Sequence, residues 1–313
     1  MKTVTILIPV YNEADALAAN LREILVHVHA ITRVAIKVLL VDDGSTDGSV
    51  TALKAVFAAE PALHYLRLNH NFGKEAAIAA GLCVIKKSDA VIVMDSDLQH
   101  PPALLEQMIE QWQQGFDVVE ACKSARGTET RFRKLCCGIF YGAFDRLTGL
   151  QLRNQSDFKL LDRKVVDFYC SLPERERFFR GLVNWMHFDT TQLYFEVPPR
   201  TRGATTWSHW RLFKYALASI TSFTSFPLQI VTLCGGLTFL VSLVVGSIAI
   251  VDKISGRAVD GFSTVILLIL AIGSVLMFSL GLIGMYIARI YEEVKRRPAW
   301  IVDERKSHIM LDL

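Results

Sequence analysis

The chain has 313 residues, 51% of them apolar and 21% charged, with a formal net charge of +3. That length fits one large domain with an appendage, or two domains, and the apolar share is high for a purely soluble protein. So small an excess of positive charge argues against nucleic acid as a partner. The six cysteines (Cys83, Cys122, Cys136, Cys137, Cys170, Cys234) show no C-x-x-C spacing, and they read as free thiols rather than a disulfide framework or a zinc site.

The chain opens on Met1-Lys2-Thr3 and a short β-like run, which does not read as a secretory signal. Thr3 to Val10 predicts a strand, and Asp15 to Ala30 places Leu17, Leu21, Ile24, Leu25 and Val28 on one helical face. Ile36 to Val41 predicts a second strand, ending in Asp42-Asp43-Gly44-Ser45-Thr46-Asp47-Gly48. Ser49 to Ala59 predicts a helix, Leu63 to Asn69 a strand, and Lys74 to Lys86 an alanine-rich helix. Ala90 to Met94 predicts a fourth strand and Pro102 to Gln113 the helix after it. Strands alternating with helices predict βαβ units and a largely parallel sheet, in which ligands bind at the carboxyl ends of strands. Polar clusters fall at four such ends: Tyr11-Asn12-Glu13, Asp42-Asp43, Asn69 to Glu75, and Asp95 to Gln99.

The last cluster is the most informative. In extended backbone, residues i and i+2 face the same way, so Asp95 and Asp97 can converge on one point. Carboxylates are hard ligands suited to Mg²⁺ or Mn²⁺, ions that commonly also hold substrate phosphates. The plainer alternative is an acidic turn at a strand end.

From about Ser124 the pattern loosens, and Arg126, Arg131, Arg133 and Lys134 lead into an aromatic helix around Phe140, Tyr141 and Phe144. Leu172 to His187 and Trp207 to Phe226 read as amphipathic helices fit for a membrane surface. Leu228 to Val251 and Phe262 to Ala288 carry no charge, and each exceeds the ~20 residues that span a bilayer core. The polar turn Asp252 to Gly261 joins them into a membrane hairpin. Arg200, Arg202, Arg211 and Lys214 lie before the hairpin, and Arg289 with Lys295-Arg296-Arg297 after it. The positive-inside bias therefore puts both flanks, and the N-terminal part, in the cytoplasm. Gly235, Gly236, Gly246, Gly273, Gly281 and Gly284 permit close packing of the spans and self-association.

Ile8-Pro9-Val10-Tyr11-Asn12-Glu13, Val41-Asp42-Asp43-Gly44-Ser45, Asn71-Phe72-Gly73-Lys74-Glu75 and Met94-Asp95-Ser96-Asp97-Leu98-Gln99-His100-Pro101 resemble the motifs of family 2 glycosyltransferases with the GT-A fold. More narrowly, the chain resembles the polyprenyl-phosphate glycosyltransferases. That likeness continues through Ser156 to Arg163, Leu172 to Arg175, Phe179 to Val183, Ser222 to Leu228 and Gly284 to Lys295. It implies an α/β, Rossmann-like, mixed but mostly parallel sheet with flanking helices. Amphipathic interface helices and a two-helix transmembrane hairpin would follow. The implied boundaries are 1–165 for the catalytic domain, 166–227 for acceptor-side and interface helices, 228–288 for the hairpin and 289–313 for a cytoplasmic tail.

The resemblance implies a nucleotide-sugar donor, a UDP-hexose, bound by Pro9, Tyr11, Asn12, Glu13, Asp42, Asp43, Lys74 and Asp95. Asp95, Asp97 and Gln99 would hold Mg²⁺ or Mn²⁺ on the diphosphate, offsetting charge that develops on the leaving group. Asp43 has a second reading, as a turn former before Gly44. The implied acceptor is polyprenyl phosphate, bound by Arg126, Arg131, Arg200 and Arg202 through guanidinium forks; snorkelling at membrane lipids is the alternative for each. Asp97, Asp157 and Arg126 are the implied catalytic residues, with Asp157 either orienting the acceptor or acting as a base. A phosphate monoester is already anionic near neutral pH, which favours orientation. Two departures from the family pattern concern the acceptor and sugar side: Lys159 stands where an arginine is usual, and Thr206 where a lysine is usual. His100 reads as a neighbour of the metal motif rather than a ligand.

The expected reaction is transfer of one hexose, glucose first, to undecaprenyl phosphate with inversion at the inner membrane. Another sugar, such as GlcNAc, GalNAc or mannose from GDP-mannose, is the nearest alternative. A processive synthase would carry Q-x-x-R-W, which the sequence lacks. A silent membrane scaffold would not need the clustered strand-end acids.

Overall fold

The computed structural model describes residues 1–49, 53, 56–57, 60–124, 155–175, 177–196, 226–256 and 262–307. Two compact units emerge: Met1–Thr206 with Pro298–Leu313, and Trp207–Arg297.

The first unit is built on a seven-stranded sheet of order β3-β2-β1-β4-β6-β5-β7. Its strands are β1 (Thr3–Val10), β2 (Ala35–Asp42), β3 (Leu63–Arg67), β4 (Ala90–Val93), β5 (Val118–Lys123), β6 (Gln155–Asp162) and β7 (Thr190–Phe195). β1 pairs in parallel with β2 and β4, and β2 with β3. β6 runs antiparallel to both β4 and β5, while β5 and β7 are parallel. Every strand but β6 therefore ends at one edge, and β6 begins there, with Gln155 beside Cys122.

Among the described residues this unit carries the helices α1 (Ala14–Ala30), α2 (Lys74–Val84), α3 (Leu104–Gln113), α4 (Arg163–Ser171) and α5 (Phe179–Trp185), besides helical residues at 49, 53, 56 and 57. The apolar stripe Leu17, Leu21, Ile24, Leu25 and Val28 is buried with Ile6, Ile8, Leu40, Ile92, Phe158 and Leu160 in one core. Each such side chain contributes about 1.5–3 kcal/mol when fully withdrawn from water. On α2, a Cβ at Gly81 would lie 2.4 Å from Leu7 Cδ1 and 2.9 Å from Val41 Cγ2. The glycine lets that helix press against β1 and β2.

Past residue 297 the chain returns to the first unit. Val302 forms an antiparallel bridge with Leu68 at the β3 edge. The Asn69 amide donates to Ile301 O at 2.9 Å and the Asp303 amide to Arg67 O at 2.8 Å. Ser307 Oγ accepts from the Arg67 amide at 3.0 Å. An unpaired sheet edge is an aggregation hazard, and this segment covers one.

The second unit contains α6 (Phe226–Ile254) and α7 (Phe262–Lys295). Both are long and apolar enough to cross a membrane, over Val231–Asp252 and Ala271–Lys295. Leu233, Met277 and Phe278 are among their many exposed apolar side chains.

Two expectations need correction. Leu172 to His187 is not one helix: among its described residues only Phe179–Trp185 is helical, and the loop before it turns its carbonyls to the Arg177 guanidinium, at 2.9 Å from Glu174 O and 2.8 Å from Leu172 O, instead of into a helical ladder. Nor does extended backbone bring Asp95 and Asp97 together. β4 stops at Val93, and Asp97 sits in a turn closed by Leu98 at φ +58°, a conformation rare outside glycine. The predicted helix over Ser49–Ala59 lies partly outside the described residues, and those around Phe140 and over Trp207–Phe226 almost wholly so.

Candidate active site

The carboxyl ends of β1, β2 and β4, the start of β6 and the first turn of α2 meet at one edge of the sheet. After β1, Tyr11 is exposed and Asn12 takes a left-handed φ of 52°. Its amide donates to Ser45 Oγ at 2.9 Å and its Oδ1 accepts from the Thr46 amide at 2.9 Å, so the β1 and β2 loops brace each other. Pro9 is buried within β1.

Asp42 and Asp43 are both buried, with different partners. Asp42 accepts from the Ser45 amide at 2.8 Å, from the Tyr65 hydroxyl at 2.5 Å and from Arg67 Nη1 at 2.7 Å. Asp43 accepts from the amides of Phe72 at 2.7 Å and Gly73 at 2.8 Å. Burial nevertheless raises its pKa, against those two amides. Asp43 thus shapes the loop that leads into α2. Gly44 beside it has φ +70°, and a Cβ there would lie 2.5 Å from the His70 carbonyl carbon, so this turn admits only glycine.

Lys74, at the start of α2, is the hub of the site. Its Nζ lies 2.6 Å from Asp95 Oδ1 and 2.7 Å from Asp157 Oδ2. Burial disfavours its charge, but the two carboxylates outweigh this and raise its pKa. Asp157 also receives Arg180 Nε at 2.5 Å and Nη2 at 3.1 Å. Burial pushes Asp157 up, yet Lys74 and Arg180 together hold it well below the usual carboxylate range. A carboxylate so stabilised is a poor proton acceptor and a firm anchor. Asp95 is likewise lowered, with burial opposed by Lys74.

Around this pair stand two carboxyls shifted the other way. Burial pushes Glu13 up to about 7, with Asp97 and Asp95 adding to the rise against a hydrogen bond from the Ser96 hydroxyl. Burial and the charge of Asp157 push Glu75 up to about 7, though its carboxylate accepts from the Phe179 amide at 2.8 Å. Perturbed titration concentrated in one place marks functional sites. His100 is buried and its pKa lowered by that burial; its Nδ1 accepts from the Asp95 amide at 2.9 Å. It therefore positions the backbone of Asp95, with Nε2 3.9 Å from Asp95 Oδ2.

Asp97 Oδ1 accepts from the Gln99 amide at 3.1 Å. Among the described residues no three His, Cys, Asp or Glu side chains form a ready metal cage. What the turn offers is an all-oxygen set, Asp95, Asp97 and Gln99. Such a set suits a hard cation that keeps water and substrate phosphates as its remaining ligands. Arg126, Arg131, Arg200 and Arg202 lie outside the described residues.

Sequence reasoning passed over Arg180 and Glu75 as site residues. Arg180 is separated by 23 positions from the Asp157 it grips, and only the fold joins them. Lys159 is fully buried on β6, where it donates to Glu120 Oε1 and, at 3.2 Å, to Gln155 Oε1.

Residues 5–169 match the family model described as glycosyl transferase family 2. A Synechocystis protein named uncharacterized glycosyltransferase sll0501 is 37% identical over 305 residues, covering 96% of this chain and 94% of the relative. The SfII prophage-derived bactoprenol glucosyl transferase of Shigella flexneri is 33% identical over 307 residues, covering 97% and 98%. Among solved structures, mannosyl-3-phosphoglycerate synthase from Rubrobacter xylanophilus aligns with a TM-score of 0.49 at 19% identity, covering 71% of this chain and 73% of that one. With its mixed, mostly parallel sheet and flanking helices in the GT-A manner, the chain belongs to the family 2 glycosyltransferases and is a glycosyltransferase enzyme.

Proposed function

We propose that this enzyme moves a single hexose, glucose first, from a UDP-sugar to undecaprenyl phosphate, with inversion, at the cytoplasmic face of the inner membrane. The observation that carries the reading is the convergence of Lys74, Asp95, Asp157 and Arg180 at the edge where the chain departs toward its arginine-rich segments. Ser124, at the exit from β5, donates from its amide to Phe195 O at 2.8 Å and from its hydroxyl at 2.9 Å. The exits from β5 and β7 are thereby tied together, two residues before Arg126 and five after which comes Arg200. The resemblance assigns both arginines to the acceptor phosphate. Relatives bearing the name bactoprenol glucosyl transferase support the same acceptor and sugar.

Asp95, Asp97 and Gln99 would hold Mg²⁺ or Mn²⁺, which when bound neutralises the donor diphosphate. Tyr11, Asn12 and Glu13 would line the nucleotide with the Asp42–Asp43 turn behind them. Lys74 sits where it can pass from its carboxylates to a donor phosphate. Asp157 orients groups through Lys74 and Arg180 rather than removing a proton, since the acceptor phosphate is already an anion. The two long apolar helices would hold the chain in the membrane that contains the lipid acceptor.

The test is a donor panel. Full-length protein in detergent is incubated with labelled UDP- and GDP-sugars, with and without polyprenyl phosphate, and with EDTA. A lipid-extractable product from UDP-glucose that EDTA abolishes is expected. A product from a different sugar would move the specificity, and no lipid product from any donor would overturn the reading.

A further inference from the structure

Glu75, in the first turn of α2, reaches across to the start of α5. Its Oε2 accepts from the Phe179 amide at 2.8 Å, a bond between residues 104 positions apart. The first amides of a helix have no partner within it, and Phe178 before this one brings no side-chain cap. Glu75 meets part of that need from a different element. Both ends of the bond are held. The Phe72 and Gly73 amides that lead into α2 donate to Asp43 at 2.7 and 2.8 Å. The Phe179 ring is fully buried, edge-on to Tyr169 with centroids 5.9 Å apart.

The residues next to each partner are the ones that grip Asp157. Lys74 precedes Glu75 and lies 2.7 Å from Asp157 Oδ2. Arg180 follows Phe179 and donates to Asp157 from Nε at 2.5 Å and Nη2 at 3.1 Å, with Nη1 3.3 Å from Gln155 O. Lys74, Glu75, Phe179, Arg180 and Asp157 therefore close a ring across α2, α5 and β6. We propose that Glu75 is a positioning residue of the transfer reaction: by seating the Phe179 amide it sets where the Arg180 guanidinium meets Asp157.

What the seat requires is an oxygen at the right reach rather than a charge. Burial and the charge of Asp157 push the Glu75 carboxyl up to about 7, against the Phe179 amide, Arg180 and Lys74. The Tyr169 phenol also lies in its field. At neutral pH the carboxyl is thus protonated about half of the time, and a protonated carboxyl keeps an oxygen that accepts. The bond to Phe179 survives in both forms. Glutamine has the same reach and the same acceptor, whereas aspartate has the charge and stops one methylene short.

The test compares Glu75→Gln, Glu75→Asp and Glu75→Leu in full-length protein in detergent. Two quantities are read: sugar transfer with whichever donor and acceptor the parent turns over, and hydrogen exchange at the Phe179 amide by mass spectrometry. Glu75→Gln should keep most of the parent's kcat. Glu75→Asp and Glu75→Leu should lose about tenfold or more, as misplaced catalytic groups do. In those two the Phe179 amide should exchange roughly two- to tenfold faster, the factor that one lost hydrogen bond gives. Glu75→Asp carries the test should the leucine variant not fold. Arg180→Ala should be impaired by itself, and adding Glu75→Asp should cost nothing further, because Glu75 acts through that arginine. Exchange needs no substrate, so it decides the seat even if the sugar or lipid is a different one. An aspartate variant as fast as the parent, a glutamine variant as slow as aspartate, Phe179 exchange unmoved by Glu75→Asp, or losses that add in the double variant would each overturn the proposal.

Discussion

Lys74 and Asp157 form a 2.7 Å ion pair that ties the first turn of α2 to the start of the antiparallel strand β6. The same ammonium also neutralises Asp95, so one lysine holds two carboxylates that would otherwise repel. Substituting Lys74→Met should leave both acids uncompensated. Sugar transfer should fall by about 10²-fold or more, on the scale of losing one preorganised electrostatic group. The thermal midpoint without metal should also drop, and added Mn²⁺ should raise it more in the variant than in the parent. Equal metal-induced shifts in the two proteins would show that the lysine and the cation do not share those carboxylates.

Asp97 tests the metal turn with little structural confounding, because the hydrogen bond described for it is a local one from the Gln99 amide. Asp97→Ala should weaken Mn²⁺ binding in the presence of UDP by about tenfold or more, as loss of a charged ligand does. Calorimetry reads the affinity, and a thermal midpoint within about 4 °C of the parent would confirm that folding is intact. Unchanged Mn²⁺ affinity would remove Asp97 from the ligand set.

Glu75 carries a prediction about pH. Its carboxyl has a reference value of 4.5 and is raised to about 7 by burial and Asp157. Between those values the folded protein holds a proton that the unfolded chain has released. Stability from this group is therefore full below about pH 4.5 and declines as pH rises through 7. Glu75→Gln should flatten that decline, visible as a smaller difference between thermal midpoints at pH 5.5 and pH 7.5. Glu13, raised to about 7 for a similar reason, should contribute an acidic limb to the pH–rate profile near neutrality that Glu13→Gln removes. Asp157 should contribute none between pH 4 and 9. A limb that survives Glu13→Gln and vanishes in Asp157→Asn would reverse these assignments.

Removing residues 298–313 should expose the β3 edge and release Arg67 from its backbone contacts with Asp303 and Ser307. Each backbone hydrogen bond lost costs about 0.5–1.5 kcal/mol. Since Arg67 also grips Asp42 at 2.7 Å, weaker UDP binding should accompany the lower thermal midpoint. A truncation that melts and binds UDP like the parent would make the segment dispensable.

The first four strands were legible because each is an apolar run ending in a polar cluster. β6 was not read as a strand because its polar residues face inward. Gln155, Asp157 and Lys159 are buried with partners of their own, which masks the alternation that marks a half-exposed strand. The acids of the site were visible as strand-end pairs and Lys74 was read with the donor-binding residues, but Arg180 was not read as a site residue, and nothing local links it to Asp157 or Lys74 to Asp95. The tail's return to β3 was equally hidden, since one bridge and a few main-chain bonds leave almost no side-chain signature.

The reversal of β6 has a consequence for how this enzyme could diversify. β5 ends at Lys123 and β6 begins at Gln155, and Cys122 faces Gln155 across the ladder. The intervening stretch is thus sewn into the scaffold at two adjacent stitches, both on the catalytic rim. A change of length between them leaves the two stitches themselves side by side. If the proposed acceptor site lies in that stretch, nature or a protein engineer can re-tailor what this transferase accepts while the strand ends that carry Asp95 and Asp157 stay the same.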